Sequence, residues 1–346
     1  MMMPGGQTMA IPDTSQSDTG IPQVLVRWGM LRSLLADQLP EDVVITDAGK
    51  DIAGYQSSCD DDDNSQHVTI IDASGNPIGD HLSSTPLIIG ADGVRSAFRA
   101  LVRNDVTHLT TDITDASGED VKYGGRINIK AVVHKSLGEE YKSGHTHAAF
   151  APDGSVAVFA GPAGEGLTYW AISVADSIKE GGEDAVTFID GLPTGGDGKL
   201  AKDSLKEKLL TKLNTLDSDP YIETVIDLIN ETSAEEIFCQ KSEEAKELGN
   251  HPLHSADGRI VLAGDAAHAM SASYGQAANF ALEDAATLAA CIRDGDDLGE
   301  ALKDYSKKRL DRCIEMQARS AERAAKAMKG EQVEDVSKWI FQWEIA

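Results

Sequence analysis

The stretch GRIVLAGDAAHAMSASYGQAANFALEDAATLAACI, residues 258–292, decides the fold. It opens on an apolar strand, 258–263, that ends at Gly264-Asp265. A carboxylate at the carboxyl end of a strand in an α/β sheet faces the ligand crevice, where it can accept hydrogen bonds from sugar-type hydroxyls. Gly275, Gln276, Ala277, Ala278 and Asn279 then open a helix predicted over 276–293. Small residues at that point let a planar ligand approach the backbone N–H groups, and the positive helix end favours negative charge above it. Taken alone, Gly-Asp before a helix is also an ordinary capped turn.

The same pattern occurs earlier. In PLIIGADGVRSAFRALV, residues 86–102, a short buried strand runs into Gly90-Ala91-Asp92-Gly93. Asp92 can pair with backbone or an arginine, and Arg95 and Arg99 can meet a phosphate. Two strand-to-glycine turns so far apart in the chain suggest one nucleotide-binding sheet interrupted by an inserted domain.

What lies between reads as antiparallel sheet. INIKAVV, HTHAAFAP, SVAVFAGP and LTYWAISV are the expected strands, with turns expected at Asp153-Gly154 and Gly161-Pro162. Amphipathic helices are predicted over 203–216 and 220–230, and the last 45 residues are strongly helical. Nearer the start, Val26, Met30, Leu34 and Leu35 share a helical face that Pro40 ends, VVIT (43–46) reads as a strand, and HVTIIDASGNPIGDHL reads as a hairpin turning at Ser74-Gly75-Asn76. The run Asp60 to Asp63 is expected to be a solvated loop, because four like charges in a row cannot be buried.

Composition narrows the function classes. The 346 residues hold 31 Lys+Arg and 57 Asp+Glu, a net charge of −26 that repels phosphate backbones and anionic membranes. Nucleic acid is therefore not an expected partner. Cys59, Cys239, Cys291 and Cys313 form no C-x-x-C pair, so neither a zinc site nor any other metal site is expected, and they read as reduced thiols of an intracellular, by default cytoplasmic, protein. No apolar run is long enough to span a bilayer. The first residues lack the apolar segment of a signal peptide.

The two glycine turns, in this order, resemble those of the FAD-dependent monooxygenases of the single-component aromatic hydroxylase type, related to salicylate and para-hydroxybenzoate hydroxylases. A DGxxSxxR signature stands as Asp92, Gly93, Ser96 and Arg99, and a GDAAH signature as Gly264 to His268, continuing through Gly275, Gln276, Asn279, Asp284 and Ala285. Arg27-Trp28-Gly29-Met30 matches the family's Arg-x-x-Leu helix start, and Tyr305, Arg309 and Arg312 look like its closing helix.

The resemblance implies an incomplete FAD-binding Rossmann-like α/β sheet with an inserted antiparallel substrate domain and C-terminal helices. Its expected divisions are a loop-like N-terminus (1–21), FAD-binding parts over 22–118 and 251–295, a substrate domain over 119–250, and helices over 296–346. It implies FAD and NAD(P)H as cofactors, O2, and hydroxylation or epoxidation of a small aromatic or isoprenoid substrate. A reductase of the same superfamily and a non-catalytic remnant are the alternatives. The implied cofactor-binding residues are Arg27, Asp92, Gly93, Arg99, Gly264, Asp265, Gly275, Gln276, Ala277, Ala278 and Asn279. Asp265 would hold the ribityl chain and Arg27 the pyrophosphate region, while His268 is expected to pack. No catalytic base is assigned, and Arg126, His145, His147 and Tyr169 are side chains the sheet could present to the flavin.

Three departures stand out. Ala272 replaces the family's proline, Ala277 replaces the second glycine of Gly-Gln-Gly, and no G-x-G-x-x-G turn is found. The last leads to the expectation of a shortened chain lacking about a hundred residues, estimated from βαβ units of about 30 each.

Overall fold

The computed structural model describes residues 9–11, 26–40, 52–59, 66–78, 85–109, 120–138, 141, 146–176, 187–194, 199–217, 219–246, 248–249, 251–328, 331 and 337–343. The expected strand at 43–46, the aspartate run and His145 lie outside them. The chain mixes helix and sheet and divides into two compact units. One comprises residues 1–39, 125–242 and 325–343; the other comprises 40–124, 243–324 and 344–346.

The first unit is built on a six-stranded sheet. Its strands are β1 (Met9–Ile11), β5 (Val121–Val133), β6 (Thr146–Phe150), β7 (Val156–Pro162), β8 (Thr168–Ala175) and β9 (Phe238–Ala245), in the order β1-β6-β7-β8-β5-β9. Strands β5 to β8 are the four expected from the sequence, and their pairing is antiparallel throughout. Trp170, Ile172 and Val174 of β8 point to the same face as Ile127, Ile129 and Ala131 of β5, where all six are buried. Two helices supply the other half of that core: α3 (Lys202–Leu213) and α4 (Pro220–Glu231). Leu205, Leu209 and Leu213 recur every four residues, one face of a helix. Asp219 caps α4 by accepting from the Tyr221 N–H at 2.7 Å, with Pro220 in the first turn where its missing N–H costs nothing. The Trp170 indole N–H donates to Thr232 Oγ1 at 2.9 Å, so the largest core side chain is also satisfied.

The expected turn at Gly161-Pro162 is a correction. Both residues are still in β7, paired with Tyr169 and Thr168. The chain turns after them, where Gly164, Glu165 and Gly166 all take positive φ. Strand β9 was not read from the sequence, since FCQKSEEA has no apolar alternation.

In the first unit the predicted helix near the start is α1 (Trp28–Ala36), but none of its residues is buried, and Trp28 is 71% exposed.

The second unit contains a parallel pair, β4 (Ile88–Gly90) with β10 (Ile260–Leu262), and an antiparallel pair, β2 (Gly54–Cys59) with β3 (Gln66–Ile71). Asp72 closes the turn after β3 by accepting from the Ser74 and Asn76 N–H groups, each at 2.8 Å. Its helices are α2 (Ala97–Asn104), α5 (Asp265–His268), α6 (Ala277–Asp294) and most of α7 (Leu298–Met328). Strand β10 is buried throughout, but β4 is not: Ile89 between Ile88 and Gly90 is 53% exposed. A buried strand was expected here. Among the described residues β4 pairs in a sheet only with β10, leaving one face and one edge open. No helix among the described residues is long and apolar enough to cross a membrane.

Candidate functional site

The parallel register sets Gly90 opposite Leu262, so the turns that follow β4 and β10 leave the pair at the same end. This brings Asp92 and Gly93 to the end of the sheet that carries Gly264 and Asp265. Gly90 must be glycine, since a Cβ there would stand 2.7 Å from the Phe98 Cβ.

Asp92 is committed to α2. Ser96 Oγ donates to its Oδ1 at 2.5 Å, and the Ala97 N–H donates to its Oδ2 at 2.8 Å. Ser96 in turn caps the helix by accepting from the Arg99 N–H at 2.8 Å. The family-like spacing of Asp92, Ser96 and Arg99 is thus an N-terminal capping arrangement. Gly93 has φ +86 and nothing within 4 Å of where a Cβ would lie, so a ligand can approach its backbone.

Arg99 is fully buried. Its guanidinium donates to the carbonyls of Ala266 at 3.0 Å, Asp265 at 3.3 Å and Val94. Burial pushes its pKa down, and so does the charge of Arg103, while Asp120 works the other way. Asp120 lies 3.8 Å from Arg99 Nε and 2.8 Å from Arg103. Arg99 is therefore a tie between the two turns; its guanidinium faces carbonyls. Arg95, also read as a phosphate contact, forms a two-bond pair with Glu243, at 3.1 and 2.5 Å.

Gly264 has φ 59 and ψ −142, a conformation open essentially to glycine alone. The bend it makes delivers Asp265 to the surface, where its carboxylate has no hydrogen-bonding partner among the described residues. A would-be Cβ of Gly264 lies 3.4 Å from Ala281, so α6 packs on this bend. One turn earlier on α6 are Ala277 and Ala278. Gln276 at the helix start makes no side-chain bond to the helix amides, and its Oε1 accepts from Asn279 Nδ2 at 2.7 Å. Gly275 has φ +66 with open space above it. The second unit thus gathers Asp92, Gly93, Gly264, Asp265 and the opening of α6. Arg27 belongs to the first unit, where it pairs with Glu165 at 2.6 Å.

A buried ion cluster lies under the Gly264 bend, and sequence reasoning left its internal wiring unread. His268 and Asp284 are both fully buried and bond at 2.6 Å through His268 Nε2. Arg309 Nε meets Asp284 Oδ1 at 2.8 Å and its Nη1 meets Glu283 at 2.6 Å; Arg312 makes two bonds to Glu283, each 2.8 Å. His268 packs, as expected. Burial works to lower its pKa, but Cys313 and Asp284 beside it raise it to about 10. Donor atoms of His268, Asp284 and Cys313 lie within 4.8 Å of one another. The Asp284 oxygens already serve Arg309, His268 and the Gly264 N–H, and a guanidinium at that distance disfavours a metal ion there.

Of the sheet residues considered for the substrate, His147 is on the core side, its carbonyl accepting from Tyr221 at 2.7 Å. Arg126 donates to Ser173 and to the Gly154 carbonyl. Tyr169 is half-buried, and burial pushes its pKa up.

Residues 214–320 match the family model described as an FAD binding domain. YetM of Bacillus subtilis (strain 168), whose name provisionally makes it an FAD-dependent monooxygenase, is 39% identical over 80 residues, 23% of this chain and 21% of YetM. The chain thus spans about a fifth of that relative. Aurachin C monooxygenase/isomerase of Stigmatella aurantiaca is 24% identical over 318 residues, 91% of this chain and 68% of that protein. Klebsiella pneumoniae HpxO, solved with FAD and uric acid, aligns with TM-score 0.61 at 22% identity, over 94% of this chain and 69% of its own. At that identity the match shows a shared fold.

Proposed function

We propose that the chain is a member of the FAD-dependent aromatic monooxygenase family and takes part in hydroxylating or epoxidising a small aromatic or isoprenoid compound with NAD(P)H and O2. The observation that carries the reading is the meeting, at one end of the β4–β10 pair, of the exposed Asp265 carboxylate, two open glycine bends and an uncapped helix start.

These residues fit FAD. Asp265 is free to accept from ribityl hydroxyls, and the open backbone at Gly93 and Gly275 admits a flat ring system. The N–H groups of Ala277, Ala278 and Asn279 at the start of α6 would donate to the pyrimidine edge, and the helix end would favour negative charge there. FAD, when bound, supplies hydride acceptance and oxygen activation; the protein orients it and sets the field around it. Arg99, fixed on the Asp265 and Ala266 carbonyls, holds the two turns in register.

The reading divides the chain into FAD-binding parts over 22–118 and 251–295, an incomplete Rossmann-like sheet, with a substrate domain over 119–250 and closing helices over 296–346. A relative named for aurachin C and a structural neighbour solved with uric acid support a small-molecule substrate.

Titration with FAD, followed by quenching of flavin fluorescence, tests the reading. Saturable binding that Asp265→Ala weakens at least tenfold is expected, and NAD(P)H-dependent oxygen uptake over a panel of hydroxybenzoates follows. A folded chain that leaves flavin fluorescence unchanged refutes it.

A further inference from the structure

The segment Gly264–His268 is too short to hold its own shape, since four residues of helix cannot nucleate alone. Something outside must fix the angle at which Asp265 leaves β10. One carboxylate reaches both ends of the segment. Asp284 Oδ2 accepts from the Gly264 N–H at 2.8 Å and from His268 Nε2 at 2.6 Å. Its other oxygen is held by Arg309 Nε at 2.8 Å, so the carboxylate cannot rotate away. The Gly264 N–H is buried at a bend where the strand ladder has ended, and it needs an acceptor.

We infer that Asp284 is a positioning residue: through Gly264 and His268 it aims Asp265 at the cofactor. The inference rests on the FAD reading above. Glu283, its neighbour on α6, supplies the internal control. It is buried, bonds Arg309 and Arg312 in the same cluster, and makes no bond to residues 264–268. Loss of either carboxylate strips a buried guanidinium of a partner and lowers stability, but only the loss of Asp284 releases the bend.

The test compares Asp284→Asn with Glu283→Gln in the full chain. Amide hydrogen exchange over residues 262–270, measured without flavin, is expected to quicken about tenfold in Asp284→Asn and to stay within twofold of the parent in Glu283→Gln at comparable loss of Tm. FAD affinity is expected to follow the same split, with about tenfold weaker binding for the first, as for one lost hydrogen bond to a charged group. Equal effects of the two variants, or unchanged exchange in Asp284→Asn, would overturn the inference. Should Asp284→Asn fail to fold, His268→Leu frees the far end of the segment, and His268→Gln, which keeps a donor, should restore slow exchange; no rescue overturns it. A parent chain that binds no FAD refutes the FAD reading, while the flavin-free exchange still decides whether Asp284 fixes the bend.

Discussion

Replacing Arg99 by methionine keeps most of its volume and removes its charge. The side chain is fully buried and donates to the carbonyls of Val94, Asp265 and Ala266, so solvent screening does not soften the loss. Hydrogen bonds from a charged group contribute about 1.5–3 kcal/mol each. Losing all three costs about 4.5–9 kcal/mol, and relief from burying a guanidinium returns roughly half of it. The Asp120 carboxylate is not stranded, because Arg103 holds it at 2.8 Å. The net expectation is about 3 kcal/mol, which for a unit of this size is a fall of about 6–12 °C in Tm. Urea unfolding of Arg99→Met against Arg103→Met measures it, since Arg103 touches Asp120 but not the Asp265 turn. A cost below about 1 kcal/mol for Arg99→Met, or equal costs for the two, would refute the tie between the turns.

Other expectations follow from the same geometry. Leu209→Ala empties the centre of the α3–sheet core and should cost about 2–5 kcal/mol in chemical denaturation. Gly264→Ala meets only ordinary contact at Ala281, so its expected cost of about 1–3 kcal/mol is backbone strain, and an unchanged unfolding midpoint would count against the bend. The His268 pKa is raised to about 10 from an ordinary 6.5, so its stabilisation is complete below about 6.5 and is lost as pH rises through about 10. Asp284 is shifted the other way: burial works to raise it, but His268 and Arg309 hold it down, so its share is present above 3.8 and lost on acidification. The groups facing His268 are Asp284 and Cys313, with Arg309 bound to the far side of Asp284. Thermal melts should therefore decline between pH 6.5 and 10, and His268→Gln should flatten that decline.

Much of this architecture could be read from residue order. Burial alternates along β8 and the second half of β5, while β6 and β7 are buried on almost every residue; leucines every fourth residue mark α3 because one of its faces is buried against the sheet. The Gly264-Asp265 and Asp92-Gly93 turns were legible as a pair: either alone is an ordinary capped turn, but both follow short apolar strands in the order that the family resemblance requires. The fate of Arg99 was not legible. An arginine one turn into a helix looks like a surface charge or a phosphate contact, and only the parallel register shows that it reaches carbonyls more than 160 residues away. The wiring of Asp284, Arg309 and Glu283 was hidden likewise, since pairs 25 and 26 residues apart have no local period. Strand β9 was missed because its charged side chains carry no pattern, and the Gly161-Pro162 turn was misplaced because Pro162 sits as the last strand residue, just before the positive-φ run.

The bare edge of β4 bears on how this protein behaves in bulk solution. Ile89 and, on α1, Trp28, Leu34 and Leu35 are each more than half exposed, although Arg32 stacks on the Trp28 ring at 4.8 Å. A shared net charge of −26 repels one molecule from another. That repulsion shrinks with added salt and vanishes near the isoelectric point, about 4.6. Solubility is therefore expected to fall in high salt or mild acid and to hold in dilute, neutral buffers, which turbidity measurements check.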